Sequence, residues 1–397
     1  MNEIIRVAAR GDGITADGRH AAFSAPGDLL AEDGTLTHGP HHQVPPCRHF
    51  PTCGGCQLQH LDDESYAAFV TDRVASALDG QGLSAPLRPP IVSPPRTRRR
   101  ATLHAEFKGG RVRLGFAEEK SHAIVDIAEC HVLAPALFAL VAPLRSLLQQ
   151  LGFKRRADVH LTLIDQGVDL LIAGFAPEGL KAAEAIIAFC ERHKVARFSV
   201  DDGMGPETRW EPEPVTITLG GVEVPFPPAA FLQATAEGEA ALVAGVLDAV
   251  GNPATTADIF AGLGTFALAL PGKVYAAEGA RDALYALKAA ANRVQRPVFP
   301  EHRDLYRRPL TVAELDRFDA VVIDPPRAGA RDQIPALAAT TTRAIAYVSC
   351  NPASFARDAK DLCEGGWRID WVQPVGQFLW STHVEMVGRF VRDQPAG

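Results

Sequence analysis

The most reactive group in the sequence is the thiol of Cys350, which ends the run Ala344-Ile-Ala-Tyr-Val-Ser-Cys350-Asn-Pro352. Apolar, β-prone residues stop there at a turn, so the thiol falls at the carboxyl end of a buried strand. Ligands of open α/β sheets bind just beyond such strand ends, which makes Cys350 a candidate nucleophile. A buried, inert thiol is the competing reading of Cys350 taken alone. Two neighbours sharpen the first reading. Asp324, in Asp-Pro-Pro-Arg327, follows the preceding apolar run, and Glu385, in His-Val-Glu385, opens the last one. A nucleophile, a strand-end aspartate and a late carboxylate can share one pocket for covalent and general-base chemistry.

A second set of thiols lies far upstream. Cys47-x5-Cys53-Gly-Gly-Cys56 places three thiols around a Gly-Gly turn, where backbone N–H groups are free to face bound sulfur. The spacing differs from the paired C-x2-C of structural zinc sites. An iron–sulfur cluster needs a fourth thiolate. Cys130, in Ala-Glu-Cys-His, is the candidate, because Cys190 and Cys363 fall in helical patterns. His41, His42 and His49 keep zinc open as the alternative. Seven cysteines, an odd number, argue against a disulfide framework.

These groups need a scaffold, and residues 236–397 read as one. Strands are expected at 257–260, 274–277, 320–323, 345–348, 369–375 and 384–391, with helices at 236–251 and 280–294. That alternation predicts an α/β, doubly wound parallel sheet. Its first strand-to-helix turn is Asp258-Ile-Phe260-Ala-Gly262-Leu-Gly264-Thr265-Phe-Ala267, and Glu278 ends the next strand, where a carboxylate can accept both ribose hydroxyls. The glycine pattern alone also fits a dinucleotide fingerprint, so a nicotinamide-dependent iron–sulfur oxidoreductase is a rival. Asp258, Asp304 and Asp324 at successive strand ends favour S-adenosylmethionine, since a nicotinamide enzyme gives Cys350 beside Glu385 no evident task.

Upstream, residues 1–46 read as a short β module with strands near 4–8 and 21–24. A helix is expected at 64–80 and a proline-rich loop at 83–97. An α+β region follows, with strands at 99–107, 112–116, 123–127, 159–164 and 168–175, and helices at 134–151 and 180–194. The chain has 397 residues, 47% of them apolar and 22% charged, as in an ordinary globular protein of two or three domains. No apolar run reaches the length of a membrane span, and no leader pattern is visible, which points to a cytoplasmic protein. A net charge of −7 argues against a general polyanion binder. The local basic knot of Arg96, Arg98, Arg99 and Arg100 is nevertheless a candidate phosphate contact.

Taken together, several motifs resemble one family: the iron–sulfur-containing RNA (uracil-5-)-methyltransferases, and within it the branch acting on 23S ribosomal RNA. The matching residues are Cys47-x5-Cys53-Gly-Gly-Cys56, Cys130, Phe231-x-Gln233, Asp258-x3-Gly262-x-Gly264-x-Phe266, Glu278, Asn292, Asp324-Pro-Pro-Arg-Ala-Gly329, Ser349-Cys-Asn-Pro352 and His383-x-Glu385. The resemblance implies a class I S-adenosylmethionine methyltransferase sheet at 231–397. It implies an α+β central domain at 47–230 carrying a [4Fe–4S] cluster on Cys47, Cys53, Cys56 and Cys130, and a shortened TRAM-like module at 1–46. Cys350 would be the nucleophile and Glu385 the base. Gln233, Phe260, Gly262, Gly264, Thr265, Glu278, Asp304 and Asp324 would line the cofactor and uracil pocket. RNA, above all 23S ribosomal RNA, would be the partner of a monomer, with transfer RNA as the alternative substrate. The chain departs from the family pattern at Thr265, at Thr235 and in the loop Gly376-Gln-Phe-Leu379, which precedes the base.

Overall fold

The computed structural model describes residues 1–119 and 121–392. The chain begins with a five-stranded antiparallel sheet of short strands centred on Asn2–Val7. The buried Asp28 carboxylate braces it, accepting the N–H groups of Ala25 and Gly39 at 2.8 and 2.7 Å and facing His42 Nδ1 at 2.8 Å. Helix Asp63–Asp79 follows. The Asp62 side chain caps its first turn by accepting Ser65 N–H. Tyr66, Phe69, Val70, Val74 and Leu78 recur at helical spacing, and this stripe packs into a core shared with the C-terminal sheet.

The central region is a six-stranded sheet, in the order Glu207–Trp210, Val195–Asp201, Gly167–Ala173, Arg156–Ile164, Arg100–Lys108, Arg111–Gly115. The single helix expected at 134–151 is two helices, Pro135–Ala139 and Val141–Gln150. Pro143 has no N–H to return to the carbonyl four residues earlier, so the helical ladder is interrupted there. The stretch 123–127, expected as a strand, runs alongside 114–118, with Glu118 N–H donating to the Ala123 carbonyl and Val125 and Ile127 N–H donating to the Phe116 and Leu114 carbonyls, but it forms a single bridge, Ala117 to Ile124, and the Asp126 side chain takes the Leu114 N–H at 3.1 Å.

The C-terminal sheet has eight strands. Val298–His302, Lys273–Glu278, Thr255–Ile259, Ala320–Ile323 and Ala344–Ser349 run parallel, in that spatial order. The sheet is mixed rather than wholly parallel. Glu385–Val391 inserts antiparallel between Ala344–Ser349 and Arg368–Gly376. The connection 377–384 is too short for the crossover of a dozen or more residues that parallel pairing requires. Ile91–Val92, from the stretch read as loop, pairs with Arg368–Gly376 and closes the edge. Among the described residues no helix is long and apolar enough to cross a membrane.

One ion pair braces the central sheet from within. Arg197 forks onto Asp169 at 2.8 and 2.9 Å and donates to the Phe226 carbonyl at 2.7 Å, with both side chains only 4% exposed. Removing Arg197 leaves a buried carboxylate alone. Arg197→Ala is expected to destabilise the protein by about 3–5 kcal/mol in chemical denaturation.

Candidate active site

Adjacent strands deliver the chemistry to one edge of the sheet. Asp258 lies in Thr255–Ile259, and Asp324 directly follows Ala320–Ile323, its N–H donating to the Ile259 carbonyl at 3.2 Å. Cys350 follows Ala344–Ser349. Ser349 is registered opposite Met386, so Glu385 begins the neighbouring antiparallel strand beside the thiol. The first residue of an antiparallel strand lies at the same edge as the last residues of its parallel neighbours.

The turn after Asp258 forms a cradle. Phe260 takes a positive φ of 66°, and the N–H groups of Phe260 and Ala261 both donate to the Ala277 carbonyl. Gly262 also has positive φ, and a Cβ placed there would meet nothing, so the backbone is open to a ligand. At Gly264 a Cβ would collide with Leu287, which holds this turn close against helix Arg281–Arg293. Glu278 Oε2 accepts the Gly262 N–H at 2.8 Å and Oε1 accepts the Ala280 N–H at 2.6 Å. Thr265, partly buried, stands one residue past Gly264. Asp304 is exposed at the rim, where it accepts the N–H groups of Tyr306 and Arg307; the Tyr306 ring stands 5.7 Å from that of Phe260.

Electrostatically the site gathers buried acids whose ionisation is disfavoured. Both Asp258 oxygens are buried without a hydrogen-bond partner. Burial, with the Asp324 and Glu278 charges behind it, pushes the Asp258 carboxyl up to about 8. Desolvation raises Asp324 to about 7. Burial and then Asp324 raise Glu385 to about 8, against the pull of Gln377 and Arg100. The Cys350 thiol rises to about 11 through burial and the nearby Glu385 and Asp324, with Arg327 opposing.

The loop 324–330 is tied to the helix that follows Cys350. Asn351 Nδ2 and Ser354 Oγ both donate to the Arg327 carbonyl, at 3.0 and 3.2 Å. The buried Asp358 carboxylate accepts the Ala330 N–H at 2.9 Å and the Tyr347 hydroxyl at 2.6 Å. These bonds fix Asp324 relative to Cys350. In front of Cys350 opens a cleft of about 510 Å³, whose walls include Arg10 and Phe23 of the N-terminal sheet, Arg73, Arg327, Asn351 and His383.

The four upstream thiols also converge. Cys47, Cys53, Cys56 and Cys130 line one enclosed pocket with Phe50, Phe116, Ile127 and Leu133, and Arg98, His49 and His131 complete its wall. Burial raises the Cys47, Cys53 and Cys56 thiols, pushing Cys56 up to about 12. Among the described residues no group of three or more His, Cys, Asp or Glu side chains is close enough to hold one metal ion. The histidines weighed as zinc ligands are engaged elsewhere: His41 with Asp62, His42 with Asp28, and His49 as acceptor from the Ala128 N–H.

The basic knot does not form a phosphate surface. Arg99 is buried, pairs with Glu239 at 2.7 Å and donates to the Gln233 carbonyl at 3.1 Å. Arg98 stacks on Phe378 and Arg100 on Phe231. Only Arg96 of the four is exposed. Gln377 and Asp358 escaped the sequence reading. Gln377 sits in the loop that departs from the family pattern, and that departure was the available signal.

The chain superposes along 98% of its length on 99% of the Pyrococcus abyssi tRNA (uracil-54, C5)-methyltransferase in complex with S-adenosyl-L-homocysteine, with a TM-score of 0.76 at 23% identity. The fold is that of a class I S-adenosylmethionine methyltransferase. The sequence model of the family described as tRNA (Uracil-5-)-methyltransferase matches residues 226–392. An uncharacterized RNA methyltransferase of Zymomonas mobilis is 52% identical over 396 residues, spanning 99% of this chain and 100% of the relative. The 23S rRNA (uracil(1939)-C(5))-methyltransferase of Chromohalobacter salexigens is 32% identical over 384 residues, 91% of this chain and 79% of the relative. The chain belongs to the RNA (uracil-5-)-methyltransferases and is an S-adenosylmethionine-dependent enzyme of that family.

Between its unfolded value of 3.8 and about 8, the folded protein keeps a proton on Asp258 that the unfolded chain has released. Stability therefore falls as pH rises through that window and levels off above it. Asp258→Asn removes this charge without changing shape. The variant is expected to melt at least about 4 °C above the wild type at pH 8 and near it at pH 4. It should also lose the thermal protection that S-adenosylmethionine gives the wild type.

Proposed function

We propose that the protein methylates C5 of a uridine in RNA, with 23S ribosomal RNA as the substrate, Cys350 as nucleophile and Glu385 as base. The observation that carries this reading is the placement of Cys350 and Glu385 at facing ends of paired antiparallel strands, with Asp324 beside them. Uracil C5 is a weak nucleophile. Addition of the Cys350 thiolate to C6 makes the ring an enolate and C5 electron-rich. S-adenosylmethionine supplies the methyl group, as a cation whose charge suits the buried carboxyls. The residues present fit it: the open Gly262 turn, Glu278 for the ribose hydroxyls, and the unpartnered Asp258 carboxylate. Gln233, Phe260, Gly264, Thr265, Asp304 and Asp324 complete the proposed cofactor and uracil pocket. After transfer, Glu385 removes the C5 proton and elimination expels Cys350, which restores the ring.

The uridine must leave its stack to reach Cys350. The Arg10, Arg73 and Arg327 side chains around the cleft supply the positive charge that flanking phosphates need. We read the chain as a short TRAM-like β module (1–46), a central α+β domain (47–230) and the methyltransferase domain (231–397), acting as a cytoplasmic monomer.

In the central domain, Cys47, Cys53, Cys56 and Cys130 are proposed to hold a [4Fe–4S] cluster. The fit lies in four thiols around one pocket with apolar walls. A single zinc, with Zn–S bonds of about 2.3 Å, draws its four sulfurs within about 4 Å of one another. A cubane instead holds its four thiolates at its corners, farther apart. Protein isolated without oxygen is expected to bind about four irons per chain. Cys130→Ser should lose iron and the broad visible absorbance together; zinc in place of iron would refute the cluster.

Methyl transfer from labelled S-adenosylmethionine to unmodified ribosomal and transfer RNA, in separate reactions, tests the activity. Label in 5-methyluridine of ribosomal RNA, absent with Cys350→Ala, is the expected result; label in transfer RNA alone would replace the substrate. Glu385→Gln should slow turnover about 10²- to 10⁴-fold and accumulate a covalent protein–RNA adduct. Since Glu385 must be ionised to act, kcat/KM should rise with pH around a midpoint of about 8.

A further inference from the structure

We propose that Gln377 is a positioning residue that serves two parts of the reaction: it fixes the Gln233 carboxamide with its amino group free for an acceptor on the bound ligand, and it donates a hydrogen bond to Glu385. The inference rests on the roles proposed for Gln233 and Glu385. The observations behind it are independent of those roles.

Gln377 follows strand Arg368–Gly376 and is 1% exposed. Its Oε1 accepts the Ala234 N–H at 2.9 Å. A backbone N–H can only donate, so the atom facing it must be the oxygen. The other end of the amide is therefore the donor. It lies 2.7 Å from the Gln233 side chain, and the group that meets a donor must be the Gln233 oxygen. The Gln377 side chain also neighbours Glu385 and favours the ionised form of that carboxyl. Its oxygen thus has a donor in Ala234 N–H and its amino group an acceptor in Gln233, with a second N–H to spare on the side of Glu385.

Neither amide is free to turn over. A Cβ at Gly238 would lie 2.5 Å from Gln377 Cβ and 2.9 Å from its Oε1, so the side chain is pressed against helix Ala236–Val250. On the other side, Arg99 holds the Gln233 carbonyl through Nε and the Ala234 carbonyl through its N–H at 2.8 Å. The buried Gln233 side chain is left with its amino group, and no acceptor among the described residues pairs with it. That amino group is open to an acceptor on a bound ligand: a carboxylate, as on the methyl donor, or a ring carbonyl, as on uracil. The same donor would face the amino group of cytosine unfavourably, so Gln377 also orients a discriminating contact.

Two variants test this. Gln377→Glu keeps the acceptor for Ala234 N–H, and so the local fold, but removes both donors and places a second carboxylate beside Glu385. Gln377→Met keeps length and volume and removes both ends of the amide. For each, the pH dependence of methyl transfer and the calorimetric affinity for S-adenosylmethionine are measured. The expected result is an acid limb of kcat/KM moved to higher pH, with about tenfold loss at pH 7 that recovers toward pH 9, as for the loss of a hydrogen bond to a charged group. Gln377→Glu should shift the limb further. A weaker Kd for S-adenosylmethionine would identify the carboxylate as the acceptor; a raised KM for RNA at unchanged Kd would identify the base. A loss equal at every pH, with Kd and KM unchanged, would show a merely structural role and overturn the proposal while the methyltransferase reading stands. Wild-type protein that neither binds S-adenosylmethionine nor methylates RNA would overturn both.

Discussion

The desolvation of like charges at neighbouring strand ends governs this molecule. Consecutive strands of the C-terminal sheet deliver, in spatial order, the Asp258 carboxyl, the Asp324 carboxyl, the Cys350 thiol and the Glu385 carboxyl. At about 4.8 Å per strand they span about 14 Å. Burial disfavours ionisation of all four, and the Asp324 charge adds to it at Asp258, Cys350 and Glu385. The antiparallel insertion is what completes the row. A parallel strand in that position would present its last residue at this edge, and Glu385, the first, would lie at the far end of the sheet.

This arrangement stores its reactivity until charge arrives. With Cys350 raised to about 11 and Glu385 to about 8, the free site keeps the thiol and the carboxyl largely protonated at neutral pH. A cation bound among Asp258, Asp324 and Glu278 stabilises every anion near it, the thiolate included. On the proposed reading, the same residues would both attract a positively charged methyl donor and respond to it. An apolar floor would be more stable, but it would give a cation nothing to bind and the thiol nothing to respond to.

Much of this was legible in the sequence because it is local. Apolar runs that end in Asp-Pro-Pro, Ser-Cys-Asn-Pro and His-Val-Glu give strand ends and their chemistry within a few residues, and Ala320–Ile323 lies where its pattern puts it. The thiol quartet was legible through the exclusion of Cys190 and Cys363 by helical spacing, and all four line one pocket. What stayed hidden depends on contacts between distant segments. Ile91–Val92 is too short for any period and becomes a strand only against Val375 and Gly376. Gln377 has no meaning until Gln233, Ala234 and Glu385 surround it. The basic knot misled for the same reason: its partners lie more than a hundred residues away.

Those arginines explain how the central domain is joined to the chemistry. Arg98 lines the thiol pocket with one part of its side chain and stacks on Phe378, in the loop before Glu385, with another. Arg99 grips the segment from Gln233 to Glu239 at three points. Arg100 stacks on Phe231, and its charge favours ionised Glu385. Arg98, Arg99 and Arg100 are three consecutive cations in buried or half-buried contacts with distant segments, and each carries a desolvation penalty that its partner must offset. The thiol pocket and the base are thus two ends of one rigid connection.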